Sequence, residues 1–238
     1  MKIRACAALP FLLAVSLFAQ SDQGEVPFES DIRKFEAEDA KNPPKPGGIV
    51  FVGSSSIVRW KTLQTDFPGH NVINRGFGGS QVSDSVRFAE RIVTPYKPVM
   101  VVFFAGTNDI ADGKSAETVF EDYKKFVAKV QTALPKTVVA YISISPAPSR
   151  WSKIKEIKRA NGHIRKYAES HPRLLFVDTF SQMVDEKGGP RPELFVEDQL
   201  HMSSLGYAIW AKAVGKILPT KPRVPQHIPD GCQSISPF

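Results

Sequence analysis

Ile49-Val50-Phe51-Val52-Gly53-Ser54-Ser55-Ser56 is the stretch that decides the fold. Four continuous apolar residues, with no polar alternation, describe a strand buried on both faces, as in parallel sheets. The glycine lets the chain turn sharply, and a helical pattern follows over residues 56–65. Ser55 would then stand at the start of a helix, with its own backbone N–H pointing toward anything bonded to its hydroxyl. A plainer account is a helix cap, because serine is a preferred N-cap residue. Two other loop types do not fit. The lysine of a phosphate-binding loop is missing, and Ile57 stands where a G-x-S-x-G elbow would carry its second glycine.

The same strand-turn-helix unit recurs downstream. Apolar runs rich in Val, Ile and Phe lie at 72–73, 99–104, 138–144 and 174–177, the first of these being the shortest. Helical segments fall at 83–92, 116–134, 151–170 and 203–218, the last stopped by Pro219. A short helix over 30–40 and a Pro/Gly-rich breaker over 42–48 precede the first strand. Strands alternating with helices predict an α/β fold, a parallel five-stranded sheet with helices on both faces. One domain of roughly 170 residues, 49–218, holds the pattern.

The 238 residues are 42% hydrophobic, which suffices for one sizeable core. Residues 1–21 differ in kind. Lys2 and Arg4 form a basic start, 5–19 are apolar apart from Ser16, and a polar run follows. This predicts a secretory signal peptide and a secreted or periplasmic protein. An uncleaved membrane anchor is the alternative, but the run is short for a membrane span. No stable membrane insertion is expected once the signal is gone. Residues 22–48 form an N-terminal helix and linker, and 219–238 a Pro-rich tail expected to be extended. Cys6 would leave with the signal, so Cys232 remains alone and no internal disulfide is expected. The net charge is +7. Its densest cluster, Lys153, Lys155, Lys158 and Arg159, is that of a solvated helix face, and no aromatic-interleaved basic stripe points to nucleic acid.

In an open parallel sheet, functional residues gather at the carboxyl ends of the strands. The second strand runs into Asn74-Arg75-Gly76-Phe77-Gly78-Gly79-Ser80, whose glycines let backbone approach a ligand or merely make a flexible loop. The third leads into Ala105-Gly106-Thr107-Asn108-Asp109. Asn108 could donate its amide to an oxyanion, or Asn-Asp could be an ordinary turn. After the fifth come Asp198-Gln199-Leu200-His201, a carboxylate and an imidazole three residues apart. Such a carboxylate can orient the histidine, or simply cap the next helix. His70, His163, His171 and His227 are poorer candidates for a base, and Asp178 is a rival acid that lacks a neighbouring histidine.

Together, Gly53-Ser54-Ser55, Gly79, Gly106-Thr107-Asn108-Asp109 and Asp198-Gln199-Leu200-His201 resemble the four sequence blocks of SGNH (GDSL-type) esterases and lipases. The resemblance runs from about Ile49 to Leu218. It implies a flavodoxin-like three-layer sandwich and a serine hydrolase that needs no metal or cofactor. Ser55 would be the nucleophile, His201 the base and Asp198 its orienting acid. The backbone N–H groups of Ser55 and Gly79 and the Asn108 amide would form the oxyanion hole. Ser54 replaces the family's usual aspartate, so three serines run together and Ser54 and Ser56 remain fallback nucleophiles. The implied partner is a small-molecule or carbohydrate ester. No lid-like insertion separates the blocks, which favours a short acyl group, acetyl above all. Trp60, Trp151 and Phe77 could line the cleft or belong to the core. A lysophospholipase or thioesterase is the alternative within the family. Outside it stands a non-catalytic flavodoxin-like binding module that cradles an anion on residues 76–79.

Overall fold

The computed structural model describes residues 26–219. The expected signal peptide, Cys6, His227, Cys232 and the tail from 220 onward lie outside them. Five strands, β1 (Ile49–Gly53), β2 (Val72–Gly76), β3 (Met100–Phe104), β4 (Val138–Ile142) and β5 (Leu174–Val177), form one parallel sheet in the order β2-β1-β3-β4-β5. This is the flavodoxin-like order, and the chain reverses direction across the sheet between β1 and β3. Every residue of β1 and β3 is buried, which is why their sequences are continuous rather than alternating.

The helices in chain order are α1 (Glu29–Lys41), α2 (Ser55–Val58), α3 (Leu63–Asp66), α4 (Val82–Ile92), α5 (Thr107–Ala111), α6 (Ala116–Ala133), α7 (Ile154–Glu169) and α8 (Ser204–Gly215). Alternate strand residues face opposite sides. Val50, Val52, Val101, Phe103 and Tyr141 meet α1, α4, α6 and α7 on one face. Phe51, Val102, Phe104 and Ile142 meet α2, α3 and α8 on the other. The result is the expected three-layer α/β sandwich. No helix among the described residues is long and apolar enough to cross a membrane.

Several elements differ from the sequence expectation. β2 does not stop at Ile73 but runs through Arg75 to Gly76. The buried Arg75 guanidinium is paired with Asp39 of α1, donates to the Tyr96 hydroxyl at 2.7 Å, and lies between the Phe35 and Tyr96 rings. Residues 56–65 form two short helices rather than one, because Trp60 turns inward between them. It packs on Phe51, Phe67 and Trp210 and donates its indole N–H to Asp66 at 2.6 Å. Trp60 and Phe77 are therefore core residues and do not line the cavity at Ser55, whereas Trp151 is half-buried. It lies in a 3-10 turn, Pro148–Lys153, that precedes α7.

Candidate active site

The carboxyl ends of β1, β2 and β3 and the segment before α8 build the site. At Gly53 the backbone has φ 148°, and a Cβ there would sit 1.9 Å from the Phe104 carbonyl oxygen. Only glycine fits. That close approach lets the Ser54 N–H bond the Phe104 carbonyl at 3.1 Å and turns the chain directly into α2. Ser55 is thus the first residue of α2, half-buried, while Ser54 and Ser56 are buried on either side of it.

Asp198 organises its own turn rather than the next helix. Its Oδ1 accepts the backbone N–H groups of Leu200 and His201, both at 2.9 Å. Gln199 takes the left-handed conformation between them, with φ 54°. Ser203 caps α8 instead, accepting from the Gly206 N–H. The turn brings His201 back so that Nδ1 lies 2.6 Å from Asp198 Oδ2, and Nε2 lies 2.8 Å from Ser55 Oγ. A neutral imidazole with its proton on Nδ1 satisfies both contacts, donating to the carboxylate and accepting from the hydroxyl. Partial burial raises the Asp198 carboxyl, but the His201 and Leu200 N–H groups and the His201 ring outweigh it and hold the acid well below the usual carboxylate range. Asp198 is therefore an anion at neutral pH. The Arg59 guanidinium, just past α2, lies 3.8 Å from the same carboxylate oxygen.

Gly76 and Asn74 hold the β2 loop beside α2. The Asn74 amide donates to the Ile57 carbonyl at 2.7 Å and its oxygen accepts from the Gly76 N–H at 2.9 Å. Beyond them, Gly79 is exposed with φ 82°. The Asn108 amide donates one N–H to the Ser80 carbonyl at 3.0 Å. That bond fixes which end of the side chain is nitrogen and leaves its second N–H uncommitted among the described residues. Asn108 and Ser55 line the same small cavity, together with Phe104, Thr107, Ser145, Ala147, Leu200 and Met202.

Asp109, a turn signal in the sequence, has a structural role that sequence reading missed. It is wholly buried, accepts from the Val82 N–H at 3.1 Å, and pairs with Lys114 Nζ at 2.9 Å. Burial pushes its carboxyl up against the pull of Lys114. Through it the β3 loop is tied to the start of α4, and so to the Gly79–Ser80 segment. Nothing local in the sequence marks this, because Val82 is 27 residues away. Asp178 pairs with Arg165 at 2.6 Å and with the Ser181 N–H. His163 and His171 contact Glu117 and the Tyr167 carbonyl respectively. A binding module would leave Ser55 and His201 unrelated, but they are in hydrogen-bond contact.

The sequence matches the GDSL-like Lipase/Acylhydrolase family over residues 52–209. No curated protein matches it. Among solved structures, a GDSL-like lipase from Bacteroides thetaiotaomicron superposes with a TM-score of 0.69 at 23% identity, covering 79% of this chain and 96% of that one. The family 3 carbohydrate esterase of Clostridium thermocellum gives 0.56 at 16% identity, covering 72% and 94%. A carbohydrate esterase of family 3 from Talaromyces cellulolyticus gives 0.56 at 19%, covering 71% and 95%. These likenesses are of fold. The sequence match spans well over half of the chain and both halves of the site, and the chain belongs to the GDSL-like lipase/acylhydrolase family.

Proposed function

We propose that the protein is an exported serine esterase that hydrolyses short-chain esters, acetyl esters above all, through Ser55, His201 and Asp198. The observation that carries this reading is the unbroken contact chain from Ser55 Oγ to His201 Nε2 at 2.8 Å and from Nδ1 to Asp198 Oδ2 at 2.6 Å. A serine hydroxyl is a weak nucleophile until a base takes its proton. In this mechanism Oγ attacks the ester carbonyl carbon while its proton passes to Nε2. The negative charge that develops on the carbonyl oxygen is met by the Ser55 and Gly79 N–H groups and the free N–H of Asn108. Nε2 then gives its proton to the departing alkoxide, leaving an acyl-Ser55 ester. Water, deprotonated by the same nitrogen, attacks that ester and releases the acid. Asp198 stays charged throughout, holding the ring and stabilising the imidazolium.

The small cavity beside Ser55 supports a short acyl group. A carbohydrate alcohol is suggested by the two structural relatives that are carbohydrate esterases, and export by the basic-then-apolar start of the sequence. The test is hydrolysis of nitrophenyl acetate and of acetylated xylan by the wild-type protein and by Ser55→Ala. The wild type should turn over both, and the variant, folded by circular dichroism, neither. A folded Ser55→Ala variant that keeps most of the activity rules the assignment out.

A further inference from the structure

A second cavity, of about 270 Å³, lies between α7 and β5, the strand at one edge of the sheet. Lys158, Gly162 and Arg165 of α7 line one side, and Phe176, Asp178 and Phe180 of β5 and the turn after it line the other. It shares no lining residue with the cavity at Ser55. Gly162 stands in the middle of α7 and takes no left-handed φ. A Cβ built on it would meet nothing within 4 Å. Neither backbone conformation nor packing therefore requires glycine, which in a helix interior costs about 1 kcal/mol relative to alanine. Its effect is to leave bare the centre of a stripe, residues 158, 161, 162 and 165, that follows the i, i+3, i+4, i+7 spacing of one helix face.

The walls are held in place by the protein's own bonds. Asn161, on the same stripe, accepts from the Ile144 N–H at 2.8 Å and donates to the Ile144 carbonyl at 3.0 Å. The Ser143 hydroxyl accepts the Phe180 N–H at 2.9 Å, and Asp178 accepts the Ser181 N–H at 3.1 Å. Small-molecule sites are commonly of this kind, largely preformed and apolar with a few placed charges. Phe176 and Phe180, both half-buried, supply the apolar wall. Arg165 lies over the Phe176 ring at 4.7 Å and is paired with Asp178 at 2.6 Å. Lys158 lies over the Phe180 ring at 5.9 Å, and no carboxylate pairs with its ammonium among the described residues. Two cations and one carboxylate leave the cavity with one uncompensated positive charge.

We infer that this cavity is a binding site for a small aromatic carboxylate, a monoanion of the cinnamate type. Its single negative charge balances Lys158. Its flat ring suits a slot between the bare helix at Gly162 and two phenyl rings, where aromatic groups meet edge-to-face or offset. The volume, about 270 Å³, is at the small end for ligand cavities and suits an anion of about eleven non-hydrogen atoms. The site stands apart from the chemistry at Ser55, and the inference does not depend on the esterase reading.

The experiment is thermal melting of the wild type, Gly162→Leu and Lys158→Gln, each alone and with trans-cinnamate, acetate or cinnamyl alcohol at about 10 mM. Acetate has the charge without the ring, and cinnamyl alcohol the ring without the charge. Gly162→Leu puts a side chain into the cavity, and its ligand-free Tm should equal or exceed the wild-type value, because leucine is the better helix former. Lys158→Gln removes the charge at an exposed position and leaves the fold alone. A Kd of about 1 mM, in the range for so small a ligand, raises the wild-type Tm by about 3–5 °C with cinnamate. Acetate and cinnamyl alcohol should give no rise. Gly162→Leu should show no rise with cinnamate, and Lys158→Gln less than about half of the wild-type rise. A wild type that does not respond to cinnamate overturns the assignment. So does a rise as large with cinnamyl alcohol or acetate, or one undiminished in either variant.

Discussion

Replacing Asn108 with alanine separates the chemistry of this site from its architecture. The amide has two N–H groups, to which the proposed mechanism gives different duties. One donates to the Ser80 carbonyl at 3.0 Å in the resting protein. The other is assigned to the oxyanion, a bond made at full strength only in the transition state. Loss of the first costs about 1 kcal/mol of stability, the usual net value of a protein hydrogen bond. In a domain of this size that lowers Tm by roughly 2–4 °C. Loss of the second removes one oxyanion donor, worth about 3–4 kcal/mol, or roughly 10²–10³ in kcat. Because the second bond is specific to the transition state, kcat should fall while KM stays nearly constant. The assay is steady-state hydrolysis of nitrophenyl acetate over a full substrate range, paired with a thermal melt. A variant with unchanged kcat, or one whose KM rises while kcat holds, refutes the assignment of Asn108 to the oxyanion.

Three further outcomes follow from the geometry. His201→Ala should lose more activity than Asp198→Ala, because in the proposed mechanism His201 moves the proton and Asp198 only steadies it; in a well-studied triad those losses are about 10⁶ and about 10⁴ in kcat, and equal residual rates in the two variants would contradict the division of roles. Asp198 is held below its usual pKa when folded, so its contribution to stability is present above the unfolded value and is lost as pH falls through the acid range. Thermal melts from pH 7 to pH 3 should accordingly show a shallower acid-side loss of Tm in Asp198→Asn than in wild type, and an equal or steeper loss argues against the hydrogen-bonded carboxylate. Arg75→Ala leaves Asp39 without its guanidinium at the α1–β2 junction and should destabilise the fold by about 3–5 kcal/mol, as breaking buried pairs does; chemical denaturation reads this directly, and a loss under about 1 kcal/mol would mean that α1 is held by its apolar face alone.

Much of this was legible in the sequence. β1, β3, β4 and β5 stood out as apolar runs because both of their faces are covered, and burial leaves no room for polar alternation. β2 was cut short because Asn74 and Arg75 look like the end of a strand. They are tolerated in it only because Asp39 and Tyr96, far away in sequence, pair the charge. The helix expected over 56–65 failed for a similar reason: Trp60 gains more from the aromatic cluster of Phe51, Phe67 and Trp210 than from continuing the helix. In the site, Ser55, Asp198 and His201 could be named only from the order of the four blocks that resemble the family, since each by itself reads equally well as a helix cap or a turn. Asp109 could not be told from a turn residue, since its partner Val82, at the start of α4, is 27 residues away and is brought to it only by the fold.

The central claim is that Ser55, and neither Ser54 nor Ser56, is the nucleophile. The most direct measurement is reaction of the intact protein with a fluorophosphonate, followed by proteolysis and mass spectrometry of the peptide containing residues 54–56. One adduct on Ser55 is predicted, absent from Ser55→Ala and strongly reduced in His201→Ala. An adduct on Ser54 or Ser56, or labelling that persists in Ser55→Ala, would contradict the account.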